Sequence, residues 1–305
     1  MNATPVPIVC PVCRGRSLED TDRRILCTSC GRRFNRRNGV VDLRVGGRFE
    51  DETSEAVLES EERSSRDTTV NYWVPLFTSL WPRAASPPKI LSVGCGIGMD
   101  VDTLSRHGFD VMGVDSGSRT RSWTRRTCSD RLVMANGLRL PFEDATFDAA
   151  FCGCVYPHVG VVGDSTRVSA THREQRLALA TEMVRVLKPG GRLFASGANR
   201  RCPLDIFHGR DPGTYVPRVN APWNRFLLSV RDYRRLFEQA GATGTRALPV
   251  RGYWGFVTSR QSWRGTLLSL PVRSVFWVVS RPAMGWLRGS IVDPWIVVTA
   301  EKKRA

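Results

Sequence analysis

The sequence lacks a long apolar run. No uninterrupted apolar stretch reaches the ~18 to 20 residues that a membrane-spanning helix needs. Residues 1–9 also lack the basic start and the apolar segment of a secretory signal. These absences argue against a membrane-spanning or secreted protein, so we expect a cytoplasmic location. With 41% hydrophobic and 24% charged residues, the chain of 305 residues has the composition of a folded protein.

Lysine is scarce. It occurs only at Lys89, Lys188, Lys302 and Lys303, so arginine supplies nearly all of the positive charge behind the net charge of +16. Such a charge is typical of proteins with a phosphate-rich partner, such as RNA or an anionic membrane surface. An arginine bias also follows from a GC-rich coding sequence, so charge alone does not choose between these interpretations.

The cysteines show a metal-binding spacing. Cys10 with Cys13, and Cys27 with Cys30, form two C-x-x-C pairs separated by thirteen residues. Two such turns bring four thiolates to the corners of a tetrahedron, which suits a structural Zn²⁺. A redox pair is the alternative interpretation, but it explains only one of the two pairs.

The sequence divides into three parts. We expect a zinc ribbon over residues 1–46, a polar linker or exposed helix over 47–70, and a larger domain over 71–305 with an apolar insert at about 252–293. In the larger domain, short apolar runs alternate with helical patterns, which predicts an α/β fold with a parallel sheet and helices on both faces. The predicted strands lie at 90–93, 111–114, 132–135, 149–152, 192–196 and 295–300, and the predicted helices at 99–107, 174–187 and 229–240.

A glycine-rich turn follows the first of these strands. The residues Gly94, Gly96 and Gly98 leave room for a ligand to lie against the backbone, although this pattern alone is a weak signal. The next strand ends in Asp115, and a carboxylate there can accept both hydroxyls of a ribose. A dinucleotide-binding dehydrogenase would need another glycine where this chain has Met99, which excludes that class.

Five blocks in order carry a family resemblance. They are V-G-C-G-I-G at 93–98, V-M-G-V-D at 111–115, L-P-F-E-D-A-T-F-D at 140–148, V-Y-P-H-V at 155–159 and R-V-L-K-P-G-G at 185–191. In these blocks the chain resembles the UbiE-like, type 11 methyltransferases, which have the class I Rossmann-like fold. The resemblance implies S-adenosylmethionine as cofactor and nine cofactor-binding residues: Gly94, Cys95, Gly96, Gly98, Asp115, Ser116, Asn136, Gly137 and Leu138.

Two residues depart from the family pattern. Asn136 stands where the family usually has an aspartate, but an amide can still contact adenine. Ser92 stands where the family usually has an acidic residue that helps to hold the cofactor loop and the cofactor's amino group. The resemblance therefore implies a weaker cofactor site with an unchanged fold.

The N-terminal segment carries a resemblance of its own. Its cysteine pairs and the run from Gly31 to Leu43 are similar to the Trm112-like zinc domain, and also to the zinc-binding head of the RlmA-type 23S rRNA guanine methyltransferases. The two resemblances imply different acceptors, so the ribbon leaves the substrate open.

No residue is identified as a catalytic base. Ligands of open α/β sheets bind beyond the carboxyl ends of the strands, which makes Tyr156 and His158 weak candidates. Further aromatic candidates for the acceptor pocket are His208, Tyr215 and Trp223. Alignment of donor and acceptor supplies much of the acceleration of methyl transfer, so a dedicated base is optional.

The acceptor is predicted from the apolar insert. Its interleaved tryptophans and arginines are typical of a lid over an apolar acceptor, an interfacial helix or an RNA-stacking surface, and also of plain packing against the sheet. We expect methyl transfer to a small-molecule or lipid-like acceptor, with peripheral membrane contact as one further partner. An RNA methyltransferase is the alternative, and a non-catalytic adaptor is a third hypothesis, against which the intact glycine loop argues.

Overall fold

The strands and helices of the computed structural model surround one mixed sheet. The described residues are 6–21, 24–37, 39–46, 55–82, 85–162, 166–205, 218–220, 225–253 and 263–304. The strands are β1 Leu18–Asp20, β2 Arg24–Cys27, β3 Arg33–Arg37, β4 Val40–Asp42, β5 Lys89–Val93, β6 Asp110–Asp115, β7 Leu132–Met134, β8 Phe147–Gly153, β9 Leu187–Ala198, β10 Leu204–Asp205, β11 Arg218–Val219, β12 Ala242–Ala247 and β13 Trp295–Lys302. The α-helices are α1 Glu55–Thr68, α2 Val74–Leu80, α3 Met99–Arg106, α4 His172–Val186, α5 Val230–Gln239 and α6 Trp263–Val279. None of the described helices has the length and hydropathy needed to cross a bilayer.

The predicted strands are present, but the sheet is only partly parallel. Its order within the described residues is β1-β2-β3-β4-β7-β6-β5-β8-β9-β13-β12. The strands from β4 to β9 in this order run parallel to their neighbours. Strand β13 is antiparallel to β9, and β12 is antiparallel to β13, so the expectation of a parallel sheet is wrong at this edge. An apolar run reveals that a strand is buried on both faces, whereas the connections around it set its direction.

Helices cover both faces of the sheet, as predicted. Because successive side chains of a strand point to opposite faces, the sheet has two apolar surfaces. Helices α4 and α5 bury Leu179 and Phe237 on one of them. Helices α2, α3 and α6 bury Phe77, Leu104 and Phe276 on the other. The chain therefore has the three-layer architecture expected for its α/β pattern.

The predicted helix boundaries near Ser229 and Gly241 are confirmed. The Ser229 hydroxyl accepts a hydrogen bond from the Asp232 amide at 3.3 Å, and the Asp232 carboxylate accepts one from the Ser229 amide at 2.9 Å. This reciprocal cap satisfies two amides at the start of α5. The helix then stops before Gly241, whose φ of +94° favours glycine.

The N-terminal strands continue the main sheet. Strand β4 pairs in parallel with β7, and the Leu43 amide donates to the Met134 carbonyl at 2.7 Å. The buried side chains of Val6, Phe34 and Leu43 belong to the same apolar cluster as α4 and α5. The expected separate module therefore shares its core with the larger domain. The domain boundaries themselves stay a prediction, and part of the predicted linker or exposed helix forms α1.

One buried carboxylate joins the N-terminal segment to the sheet. Glu182 on α4 accepts two hydrogen bonds from Arg14 at 2.8 and 2.9 Å and one from the Leu140 amide at 2.7 Å. Arg185 also donates to Glu182, at 2.8 and 3.0 Å. The carboxylate oxygens are thereby satisfied by two cations and a backbone amide, which offsets the cost of their burial.

We expect Glu182→Ala to lower the free energy of unfolding by about 2 to 3 kcal/mol, because it leaves Arg185 and the Leu140 amide without their partner. Urea denaturation measures this loss. The matched control is Glu143→Ala, since the partner Arg16 is largely exposed and such a pair contributes only about 0 to 1 kcal/mol. Equal effects of the two substitutions would show that Glu182 does not join the segments.

Candidate cofactor site and cysteine cluster

The glycine loop lies where β5 ends and α3 begins. Gly94, Gly96 and Gly98 have φ values of +71°, +54° and +74°, a region that side chains with a Cβ rarely adopt. The Gly94 amide donates to the Val114 carbonyl at 2.8 Å, so the loop folds back onto the end of β6. A Cβ placed on Gly96 would have its nearest neighbour, in the side chain of Arg119, 3.5 Å away. The loop is therefore held by its backbone and has space at Gly96.

Asp115 joins the glycine loop to the loop after β6. Its carboxylate accepts hydrogen bonds from the Gly96 amide at 2.8 Å and from the Gly117 amide at 2.7 Å. Its backbone carbonyl accepts the Ala135 amide at 2.9 Å. The structure thus brings the sequence-predicted carboxylate to the predicted loop, half-buried at the carboxyl end of β6.

The predicted adenine contacts follow β7. Asn136, Gly137 and Leu138 are all half-buried, and the Asn136 side-chain oxygen accepts the Leu138 amide at 2.9 Å. A Cβ at Gly137 would lie 3.0 Å from Leu179, so a side chain would crowd the helix behind it. Since β5, β6 and β7 are neighbours, the three predicted segments share one edge of the sheet. Their role in binding a cofactor stays a prediction.

Asp100 is a carboxylate that the sequence analysis did not select. It lies in the first turn of α3, where the Ser92 hydroxyl donates to one of its oxygens and the Val101 amide donates to the other at 2.8 Å. Burial raises the pKa of Asp100 to about 6, with a smaller contribution from the negative charge of Asp115, whereas the hydrogen bonds from Ser92 and Val101 act in the opposite direction. Among the residues that the structure describes, neither of the two carboxylates forms an ion pair. Ser92 occupies the position where the family pattern has an acidic residue. Its hydroxyl instead donates a hydrogen bond to an aspartate of the next helix.

Helix α1 is tied to the glycine loop by two bidentate ion pairs. Arg119 donates to Glu61 at 2.8 and 2.7 Å, and Arg126 donates to Glu62 through both terminal nitrogens at 2.9 Å. Arg126 also donates to the Ile97 carbonyl inside the loop at 3.0 Å. Sequence analysis treated this stretch as polar surface, because nothing local shows which distant arginines its glutamates meet.

Arg44 links the N-terminal segment to the same edge of the sheet. Its guanidinium donates to both oxygens of Asp42 at 2.9 and 2.8 Å and to the Ser116 carbonyl at 3.0 Å. Asp42 itself lies opposite Met134 in the parallel pairing of β4 with β7. The last residues of the ribbon therefore contact the loop that follows Asp115, which the sequence did not reveal.

The two weak catalytic candidates have different surroundings. Tyr156 is fully buried, and its hydroxyl donates to the sulfur of Met183 at 3.6 Å. His158 is half-buried, with its ring edge-on to Phe226 at a centroid distance of 5.3 Å. Tyr156 thus lies in the core, whereas His158 lies nearer to solvent. The other candidates, at positions 208, 215 and 223, fall outside the described residues.

A buried arginine fixes the segments around His158. Arg176 donates to the carbonyls of Pro157 at 3.0 Å, Val159 at 3.2 Å, Arg225 at 2.9 Å and Phe226 at 2.9 Å. Burial lowers the pKa of Arg176 to about 10, which leaves the guanidinium charged at neutral pH. Arg176 therefore pins the segment after β8 to the segment before α5, and a helical arginine gave no sequence signal for this role.

The four N-terminal cysteines converge as predicted. Their sulfur atoms all lie within 4.8 Å of one another. The Cys10 and Cys30 sulfurs are 3.8 Å apart, and the Cys13 and Cys27 sulfurs are 3.6 Å apart. Four thiolates bound at about 2.3 Å around a tetrahedral Zn²⁺ would be separated by roughly 3.8 Å. The donor set and its spacing therefore fit a structural zinc ion.

Comparison with known proteins identifies part of the chain. Residues 91–195 match the family model of a methyltransferase domain. The mouse protein named Probable tRNA methyltransferase 9B is 30% identical over 188 residues, which cover 56% of this chain and 36% of that protein. The ubiquinone biosynthesis O-methyltransferase of Methylocella silvestris is 28% identical over 188 residues, which cover 57% of this chain and 67% of that enzyme.

One solved structure is matched at lower similarity. The phosphoethanolamine N-methyltransferase 2 of Haemonchus contortus, in complex with S-adenosyl-L-methionine, has 14% identity and a TM-score of 0.48 over 82% of this chain and 58% of its own. This chain spans little more than a third of the mouse relative. The matched stretch nevertheless contains the glycine loop, Asp115 and Asn136, which follow β5, β6 and β7 respectively. Residues 91–195 are therefore similar to a methyltransferase domain, and they lie within a Rossmann-like α/β sheet.

Proposed function

We propose that this protein transfers a methyl group from S-adenosylmethionine to a small-molecule or lipid-like acceptor. One observation carries the choice of cofactor: Asp100 and Asp115 lie beside the glycine loop and form no ion pair with any described residue. A cofactor with an ammonium, a sulfonium and a ribose matches that charge and that hydrogen-bonding capacity. When bound, S-adenosylmethionine supplies an activated methyl group on its sulfonium.

The cofactor contacts are assigned residue by residue. The glycine loop from Gly94 to Gly98, with Cys95, would hold the methionine end, because it offers close approach to the backbone. Asp115 and Ser116 would bind the ribose. Asn136, Gly137 and Leu138 would contact the adenine at the end of β7.

Asp100 takes over the charge that is missing at Ser92. A buried carboxylate is costly unless a cation offsets it, and the described residues provide none at Asp100. The cofactor's ammonium is a cation of suitable chemistry. The Ser92 hydroxyl then orients the Asp100 carboxylate, so Ser92 and Asp100 together replace the single acidic side chain of the family pattern.

The mechanism requires alignment more than proton transfer. Arg176 fixes the segments on both sides of His158, so the acceptor would meet a rigid wall. Holding the acceptor nucleophile in line with the methyl group supplies much of the rate acceleration. Among the described residues of this wall, His158 carries an imidazole, a side chain that can act as a general base. Tyr156 is too buried to contact an acceptor in this arrangement.

The alternative is an RNA acceptor. It is supported by the mouse relative's name, by the RlmA-like resemblance of the ribbon and by the net charge of +16. The small-molecule reading is supported by the name of the Methylocella relative and by the apolar insert. We favour the small-molecule reading, with a cytoplasmic location. A non-catalytic adaptor would not need two carboxylates at the glycine loop that form no ion pair with any described residue.

The ribbon is proposed to hold one structural zinc ion. Cys10, Cys13, Cys27 and Cys30 offer four thiolates, which leave no open position for catalysis. The ion would brace the turns whose strands extend the sheet toward β7.

Asp115→Ala should weaken S-adenosylmethionine binding by about 1.5 to 3 kcal/mol, because hydrogen bonds to a charged group are lost. Calorimetry with the purified protein measures the change. Glu238→Ala, an exposed carboxylate on α5, is the matched control and should bind like wild type. An Asp115→Ala protein with unaltered affinity would remove the ribose assignment.

Binding should also weaken as the pH falls through about 6. The pKa of Asp100 is raised, so the carboxylate loses its charge on acidification within the range where ordinary aspartates stay ionised. Calorimetric titrations between about pH 8 and about pH 5 test this. Asp100→Asn should bind more weakly at neutral pH and show a flatter profile. An identical profile in the variant would assign the pH dependence to another group.

Protein purified without chelator should contain about one zinc ion per chain, by the donor count of a closed tetrahedral site. The Cys10→Ser, Cys27→Ser double variant should lose the metal and unfold at a lower temperature, because zinc binding supplies folding energy. Cys202→Ser, outside the cluster, is the control and should retain it. Zinc retained undiminished in the double variant would contradict the site.

Methyl incorporation decides the acceptor. Cell extract incubated with labelled cofactor, and separated into RNA, lipid and small-molecule fractions, should acquire label in the lipid or small-molecule fraction. Asp115→Ala serves as the inactive control. RNA binding should be weak and should fall steeply with salt, because neutralised phosphates release counterions with a slope of about −0.7 each for single strands. Labelled RNA, with binding that persists at physiological salt, would establish the RNA reading instead.

A further inference from the structure

The outward side of α6 and the turn after it presents tryptophan and arginine to solvent. Leu270, Trp277 and Trp286 are exposed by 54%, 46% and 76%. Arg273 and Arg281 are exposed beside them. These five residues are called the tryptophan–arginine face.

The residues of this face on α6 share one side of the helix. Steps of three or four residues separate Leu270, Arg273, Trp277 and Arg281, which is the spacing of neighbours on a helical surface. The Arg281 amide donates to the Val278 carbonyl at 3.1 Å, so the helical path continues past the end of α6. The opposite side buries apolar residues, which include Phe276, against the sheet. The exposed apolar side chains are therefore additional to those that the core requires.

All the charged residues of the surrounding sequence are cationic. Between Glu238 and Asp293 no acidic residue occurs, and four of the nine tryptophans lie in this stretch. It contains seven arginines: Arg246, Arg251, Arg260, Arg264, Arg273, Arg281 and Arg288. Elsewhere many arginines form ion pairs with carboxylates, as the arginines after β6 do with the glutamates of α1. The charge of this stretch is complementary to an anionic surface.

The chemistry favours lipid over nucleic acid. Arg281 lies 3.6 Å from the centre of the Trp277 ring, so a cation already covers one ring face that a base would need for stacking. Aliphatic side chains are exposed after the turn as well, at Ile291 and Val292. Burying such side chains among acyl chains is favourable, whereas nucleic-acid bases gain little from contact with them. Indoles with guanidinium groups beside them suit the headgroup region of a bilayer.

We propose that the tryptophan–arginine face docks this protein on a membrane surface rich in anionic phospholipid. The face is also connected to the methyltransferase site. The Ser280 hydroxyl accepts the Val250 and Arg251 amides at 3.1 and 2.8 Å, and nearby Tyr253 is hydrogen-bonded to Ser196 on β9 at 2.5 Å. If the proposed function holds, a lipid-borne acceptor would reach the sheet edge from this side. Membrane docking itself does not depend on methyl transfer.

Vesicle sedimentation tests the proposal. The protein should sediment with vesicles of phosphatidylcholine and phosphatidylglycerol but not with vesicles of phosphatidylcholine alone. It should dissociate from the anionic vesicles as the salt concentration rises. Trp277→Ala combined with Trp286→Ala should reduce binding by at least about tenfold, since interfacial affinity scales with buried apolar area. Arg273→Glu combined with Arg281→Glu should reduce it further, because each arginine near an anionic surface contributes about fivefold.

The matched control separates local from net charge. Lys303→Glu combined with Arg304→Glu changes the net charge equally at exposed positions near the C-terminus and should leave vesicle binding within about twofold of wild type. Thermal unfolding verifies that each variant is folded. Equal losses in the control would show attraction by net charge and would overturn the proposal. Unchanged vesicle binding in the tryptophan variant would also overturn the proposal. The same holds if that variant keeps its vesicle binding and loses only its binding to bulk tRNA. Cofactor affinity, measured alongside, reports separately on the proposed function.

Discussion

The edge of the sheet that carries the glycine loop depends on the hydrogen bonds of one carboxylate. Asp115 accepts an amide from the glycine loop and another from its own loop, and its carbonyl accepts an amide after β7. Three adjacent strand ends are thereby fixed to one another. Backbone amides in a positive-φ loop would otherwise be left to water, and this carboxylate satisfies them. A ligand that bonds to Asp115 would act on all three segments at once.

Charge is distributed unevenly in this arginine-rich chain. The overall charge is +16, yet the glycine loop is flanked by Asp100 and Asp115, neither of which has an ion-pair partner within the described residues. Farther from the glycine loop, glutamates of α1 form ion pairs with the arginines after β6. Local pairing therefore decides what each region attracts. The charge beside the glycine loop is complementary to a cationic ligand, whereas the charge of the stretch around α6 is complementary to an anionic surface.

The N-terminal strands β1 to β4 are a structural extension of the main sheet. Strand β4 pairs with β7, the core is continuous, and Arg44 contacts the loop after Asp115. The cysteine cluster lies in the turns of this extension, and Cys10 and Cys27 belong to the shared core. The N-terminal segment and the loop after Asp115 are therefore joined by both apolar packing and hydrogen bonds.

The sequence by itself determined the elements whose signals are local. Apolar runs predicted β5 to β9 and β13, Ser229 and Gly241 predicted the ends of α5, the glycine spacing predicted the loop, and the two C-x-x-C pairs predicted the cysteine cluster. Tertiary structure decided which distant residues meet: Asp100 with Ser92, Arg176 with four carbonyls, and β13 antiparallel to β9. The physical reason is that periodicity and caps act over a few residues. The partner of a carboxylate or the direction of a strand is set instead by how the whole sheet assembles.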